Sequence, residues 1–234
     1  MKRPGSITID PRFRGPPDSG NGGYVCGVVA AAANEPVAVR LMRPPPLSVA
    51  LELDESQGGF VLRHGEHTVA VARPDQVDLE VPEPPDHAAA IAASLAYPGF
   101  VEHVFPHCFV CGPRRLAGDG LRIFAGPLQD RPMVAAPWVP DGSLADDDGF
   151  VLPEFLWAAL DCPGFFAIPN AGRTGLLGEL AARLERPVRA GEPCVVLGWH
   201  RYSEGRKHFV GTAIFGKDGG LAARARATWI ELKD

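Results

Sequence analysis

Apolar and polar residues alternate along much of this chain, and two short stretches that are apolar on every side interrupt the pattern. The first runs from Tyr24 to Ala33, directly after Gly20-Asn21-Gly22-Gly23, with Asp18 and Ser19 as the predicted capping residues. A helix without a polar face has to be enclosed by protein, because any exposed side would forfeit burial at roughly 25 cal/mol per Å². Alternating segments follow at Val37 to Arg43, Ser48 to Leu53, Phe60 to Arg63 and Thr68 to Ala72. They are short enough for antiparallel strands, with Arg63-His64-Gly65-Glu66 as a hairpin turn. A proline-rich, acidic stretch at Pro82 to Pro85 and an alanine-rich helical segment from His87 to Tyr97, stopped by Pro98-Gly99, read as a connector.

From about Phe105 the same succession returns. A strand-like Gly120 to Phe124 precedes a polar loop at Asp141 to Asp148, an apolar helix from Pro153, and long strands to the carboxyl end. Arg40-Leu41-Met42-Arg43-Pro44 recurs as Arg183-Leu184-Glu185-Arg186-Pro187. Ser48-Val49 lines up with Cys194-Val195, Phe60-Val61 with Phe209-Val210, and Val69 to Arg73 with Leu221 to Ala225. The spacing between matches drifts upward, as small loop insertions would make it. This predicts a duplication, with an amino-terminal unit over 1–84, a linker with a helix over 85–104 and a carboxyl-terminal unit over 105–234. Each unit is expected to be an α+β arrangement of one helix wrapped by an antiparallel sheet.

Composition narrows the function classes. At 46% hydrophobic and 22% charged residues the chain has the make-up of a packed protein, which excludes wholesale disorder. Its 234 residues fit one large domain or two small ones, so the repeat decides the organisation. Glycine (27) and proline (24) are abundant and predict many turns. A net charge of −5 and the lack of a concentrated basic patch argue against nucleic acid as a partner. Five cysteines, odd in number and irregularly spaced, point to free thiols in a reducing compartment. No apolar stretch follows the initial MKRPGSITID, and the longest apolar run is about half of the ~20 residues a membrane span needs. The expectation is a cytoplasmic protein without a membrane partner.

Asn21-Gly22-Gly23-Tyr24 opening a buried helix, followed by Arg-Leu-Met-Arg-Pro-Pro-Pro and a strand pair, resembles the acyl-CoA thioesterase branch of the hotdog-fold superfamily. Cys108-Phe-Val-Cys-Gly112 ahead of Gly120-Leu121, then Leu156-Trp-Ala-Ala-Leu-Asp161 and Gly205-Arg-Lys207, resembles thioesterase-like proteins of the same superfamily. The resemblance covers nearly the whole chain. It implies a double hotdog, in which two units in one chain imitate the dimer of single-hotdog relatives. It also implies an acyl-CoA or related thioester held between the paired units beside the helix starts, near Tyr24 and Trp157. No cofactor is implied, and relatives assemble further, so a homo-oligomer is expected.

Hydrolysis of a thioester needs a group that activates water and a donor that holds the carbonyl oxygen as charge develops on it. Asp161 lies in the second apolar stretch, and a carboxylate there is costly unless paired, used or protonated. Pro163 cannot donate to the Ala159 carbonyl, so the helix should kink or end beside the acid. Superfamily enzymes often carry a catalytic acid on this helix, which makes Asp161 the candidate base. The plain alternative is an acid that ends a helix. The donors would be the backbone N–H groups of Gly22 and Gly23 at a positive helix start, with the Asn21 side chain beside them. Relatives often have His-Gly-Gly here, and the absent histidine favours a rival reading, a degenerate hotdog that binds an acyl thioester or another apolar ligand without hydrolysing it. A hotdog hydratase is a weaker third option, since no histidine stands near the helix starts. The first unit has the glycine turn and the second has the acid, so one composite site is expected.

Arg206 and Lys207, and the pair Arg114-Arg115, are candidates for coenzyme A phosphates. Cys108-x-x-Cys111 with His103 and His107 invites a zinc reading, but four ligands are reached only through the adjacent His107 and Cys108, and no second pair stands at finger spacing. No metal is assigned. Gly211 to Asp218 nearly spells a phosphate loop but carries Asp218 in place of the metal-binding hydroxyl, and its interior reads as strand. No Gly-x-Ser-x-Gly occurs, so a serine nucleophile has no support.

Overall fold

The computed structural model describes residues 5–56, 58–169 and 174–232. The first part of the chain supplies strand β1 (Gly5–Thr8), helix α1 (Gly22–Ala30) and strands β2 (Val37–Leu41), β3 (Ala50–Ser56), β4 (Gly59–His64) and β5 (His67–Pro74). Helix α2 (His87–Leu95) follows, then β6 (Gly126–Pro127), β7 (Met133–Trp138), α3 (Pro153–Ala159) and α4 (Cys162–Phe166). Strands β8 (Gly175–Leu184), β9 (Cys194–Glu204), β10 (Lys207–Phe215) and β11 (Leu221–Glu231) close the chain. Among the described residues no helix is long and apolar enough to cross a membrane.

All strands join one antiparallel sheet of eleven in the order β1-β3-β4-β5-β2-β8-β11-β10-β9-β7-β6. Read outward from its middle, the order is β2, β5, β4, β3 on one side and β8, β11, β10, β9 on the other. These are the first, fourth, third and second long strands of each half, so the duplication is written into the topology. The halves meet where β2 pairs with β8, from Val37 opposite Ala182 to Arg40 opposite Glu179. A shared irregularity marks the repeat. The N–H groups of Met42 and Arg43 both go to the Val69 carbonyl, and those of Glu185 and Arg186 both go to the Ala222 carbonyl.

That correspondence refines the sequence alignment. Val69 answers to Ala222, one residue beyond the expected Leu221. Phe60 pairs with Ala72, and the matching Ala225 pairs with Thr212, so Thr212 rather than Phe209 is the counterpart of Phe60. Strand β10 is buried without alternation from Val210 to Phe215, so a pairing shifted by an odd number of residues still looks apolar in sequence.

Helix α1 is buried from Gly23 to Val29, as its lack of a polar face requires. Its cap is Asn21, whose side-chain oxygen accepts the Tyr24 N–H at 2.9 Å, and not Asp18 or Ser19. Ser19 and Gly20 are held extended by bridges to Pro46 and Arg14, which delays the helix start. Gly120 to Phe124 is not a strand of the sheet. The Leu121 and Ile123 N–H groups bond instead to the Phe109 and Val110 carbonyls. The segment is still buried at Leu121, Ile123 and Phe124, which is what its apolar residues required.

Helix α2 is a packed layer. It covers the face of the second half's strands opposite α3, with Ala90 and Ala93 in a cluster with Ala135, Leu197, Trp199 and Phe215. Strand β9 therefore begins with six buried residues in succession, while β3 alternates exposed and buried. Coverage on two faces against one explains the difference.

Candidate functional site

Helices α1 and α3 lie directly against each other, and two glycines one turn apart permit the approach. A Cβ on Gly23 would stand 2.5 Å from Asp161 Cβ and 2.8 Å from the Trp157 carbonyl oxygen. One on Gly27 would stand 2.7 Å from Glu154 Cα. Helix α3 ends at Ala159 and α4 begins at Cys162 with Pro163 in its first turn, so the expected break falls beside the acid. Asp161 occupies the break with non-helical dihedrals of φ −81° and ψ −82°.

The break turns the Asp161 carboxyl toward the start of α1, where it is 1% exposed. Its Oδ2 accepts two hydrogen bonds at 2.9 Å, one from Asn21 Nδ2 and one from the Gly23 N–H. The other oxygen, Oδ1, is buried with no hydrogen-bond partner among the described residues. Burial pushes the carboxyl up to about 7, with the two donors pulling it back and the neighbouring Cys108 adding to the rise. Asn21 serves two masters here. Its oxygen caps α1 while its amide nitrogen holds the acid and also points at Cys108 Sγ, 3.8 Å away.

Asn21, Gly23 and Asp161 thus come together from the two halves of the chain. Gly23 does so in a way the sequence did not indicate, because its N–H is engaged by the carboxylate and is not free for a carbonyl oxygen. Gly22 is half-buried at the first helical position, where the helix offers its N–H no acceptor, and it faces Leu41 and Leu177.

Of the remaining candidates, Tyr24 and Trp157 adjoin the acid through their backbones, while Arg206 and Lys207 lie elsewhere. Tyr24 stacks on Phe13 with ring centroids 4.2 Å apart and joins Phe109 and Phe155 in an aromatic cluster. Trp157 is buried in α3 with its Cβ against Gly27. Arg206 sits in the β9–β10 turn and donates to the Glu231 carbonyl, and Lys207 is exposed at the start of β10. Arg115 is a structural tie, donating to the carbonyls of His107 and Arg12 and to Asp119, and is not available to a phosphate.

Two residues near the acid are not among the expected ones. Thr212, buried in β10, donates to the Leu160 carbonyl at 2.7 Å and so fixes the chain next to Asp161. A lone hydroxyl in the apolar run Gly211 to Phe215 was the available sign. Cys162 meets Cys108, with sulfurs 3.7 Å apart. Fifty-four residues separate them, too far for any spacing rule.

No protein-family model matches the sequence, and no curated protein matches it. Among solved structures, a TesB protein of Mycobacterium avium subspecies paratuberculosis is similar over 97% of this chain and 92% of its own, with a TM-score of 0.63 and 15% identity. A thioesterase superfamily protein aligns over 55% of this chain and 62% of its own, with a TM-score of 0.49 and 22% identity. The PaaI protein from the phenylacetic acid degradation operon of E. coli aligns over 48% and 81%, with a TM-score of 0.44 and 13% identity. At such identities the likeness is one of architecture. Taken with the mirrored strand order and the two central helices, the full-length match gives this chain the double-hotdog fold of TesB.

Proposed function

We propose that this protein is an acyl-CoA thioesterase whose single site spans the two hotdog units. The observation that carries the reading is the asymmetric environment of Asp161: one carboxylate oxygen is clamped by donors from the other half, and the second has no partner among the described residues. A carboxylate fixed in orientation with one oxygen left over suits a general base acting on water. In the proposed reaction Oδ1 takes a proton from water as its oxygen attacks the thioester carbonyl. The Gly22 N–H donates to the developing oxyanion, and the carbon–sulfur bond then breaks, with the thiolate leaving and recovering the proton. Lys207 stands five residues along β10 from Thr212, about 17 Å away. Arg206 and Lys207 therefore suit the nucleotide end of a coenzyme A thioester and not its acyl end.

A second reading is favoured by a separate observation. Asp161 is almost fully enclosed and the Gly23 N–H is already used, as in a site that binds an acyl thioester without turning it over. One experiment separates the two. Purified protein is incubated with acyl-CoAs of graded chain length and with aromatic acyl-CoAs, following free thiol release and melting temperature together. Hydrolysis is expected, and Asp161→Asn should lower turnover at least about a hundredfold while the protein stays folded. A melting shift without thiol release would establish the binder, and undiminished turnover in Asp161→Asn would remove that residue from the mechanism.

A further inference from the structure

Beside the carboxylate, and outside the chemistry proposed above, three buried cysteines converge from two distant segments. Cys108 and Cys111 belong to the loop that opens the second half, and Cys162 is the first residue of α4. Their sulfurs all lie within 4.8 Å of one another, with Cys108 and Cys162 at 3.7 Å. Two thiolates on one tetrahedral zinc ion, each with a Zn–S bond of about 2.3 Å, stand about 3.8 Å apart. The protein's remaining cysteines, Cys26 and Cys194, belong to no such group among the described residues.

Hydrogen-bond donors face two of the three sulfurs. The Gly112 N–H closes the turn onto the Cys108 carbonyl at 3.0 Å, and the Asn21 amide points at Cys108 Sγ. That fold of the Cys-x-x-Cys turn requires Gly112, since a Cβ there would meet the Cys108 nitrogen and carbonyl oxygen at 2.6 and 2.5 Å. His103 Nε2 lies 3.3 Å from Cys111 Sγ, while its Nδ1 accepts the Phe105 N–H at 3.0 Å. With Nδ1 occupied as an acceptor, Nε2 carries the proton and donates to the sulfur, the outer-sphere role that orients metal ligands. His107 is exposed and takes no part.

We propose that Cys108, Cys111 and Cys162 form a three-thiolate zinc site, with His103 and Asn21 as outer-sphere donors to two of the sulfurs. Each ligating thiol gives up its proton to solvent as the ion binds, and no electron is transferred. The expectation of no metal rested on the missing second cysteine pair. A single cysteine brought in from α4 raises the thiolate count to three and leaves the fourth position of the tetrahedron to a water. The ion would tie the loop from Phe105 to Phe124 to the residue following Asp161.

The test uses the full chain, purified under reducing conditions without chelators. Elemental analysis should find about one zinc per chain. After exchange with cobalt, thiolate-to-cobalt charge transfer in the near ultraviolet and strong d–d bands in the visible should appear. Cys111→Ser should lose the stoichiometric metal, and Cys194→Ala should keep it. If Cys111→Ser fails to fold, the cobalt spectrum of the unaltered protein still decides, because its charge-transfer intensity reads the number of thiolates. Metal content far below one per chain before and after reconstitution, cobalt bands lacking thiolate character, or a Cys108–Cys162 disulfide found by thiol counting after denaturation would each overturn the proposal.

Discussion

Gly23 and Asp161 set how closely the two central helices approach, and a single methyl group tests it. An alanine at position 23 would put its Cβ 2.5 Å from that of Asp161 and against the Trp157 carbonyl, where backbone cannot yield cheaply. Gly23→Ala should therefore cost about 1–3 kcal/mol or more, read as a lower urea midpoint. Gly142→Ala meets no atom within 4 Å and should leave the midpoint nearly unchanged. At this scale the sequence was informative wherever a residue contradicted its surroundings. Asp161 stood out as a charge in an apolar run, and Asn21-Gly22-Gly23 as a turn before an enclosed helix. It was silent about which atoms meet. The engagement of the Gly23 N–H, the double duty of Asn21 and the approach of Cys162 to Cys108 all depend on residues brought together across the fold.

Among the elements, the break between α3 and α4 governs the acid. Pro163 stops the helix, and Thr212 then holds the Leu160 carbonyl with its buried hydroxyl. Thr212→Val keeps the shape but leaves that carbonyl unsatisfied, and should cost about 1–3 kcal/mol by urea unfolding. If Asp161 acts as proposed, the same change should also slow thioester turnover with little effect on thermal shifts by ligand. Elements announced by period or by proline were legible: α1, α2, the helix break and the long strands all fall where the pattern predicted. Gly120 to Phe124 was misread because a buried extended segment has a strand's composition whether or not it joins the sheet. The α1 cap was misplaced because three polar residues compete within four positions, and the bridges of Ser19 and Gly20 decide among them.

For the whole molecule the β2–β8 pairing and the contact of α1 with α3 join the halves into one packed body. All four tryptophans, Trp138, Trp157, Trp199 and Trp229, lie in the second half, whereas the far-ultraviolet circular dichroism signal comes from both. Urea curves from tryptophan fluorescence and from circular dichroism should coincide. An earlier dichroism transition would mean that the first half unfolds alone. The duplication was readable because Arg40 to Pro44 and Arg183 to Pro187 kept nearly the same letters. The joining of both sheets along β2 and β8 was not, since either strand could equally have been an outer one. The outer positions instead fall to β1, four residues long, and β6, two residues long and ending in Pro127. Among the described residues such stubs give a neighbouring molecule little backbone to zip onto, which disfavours growth by strand addition at both margins. Any assembly of this protein is accordingly expected to run flank to flank through side chains.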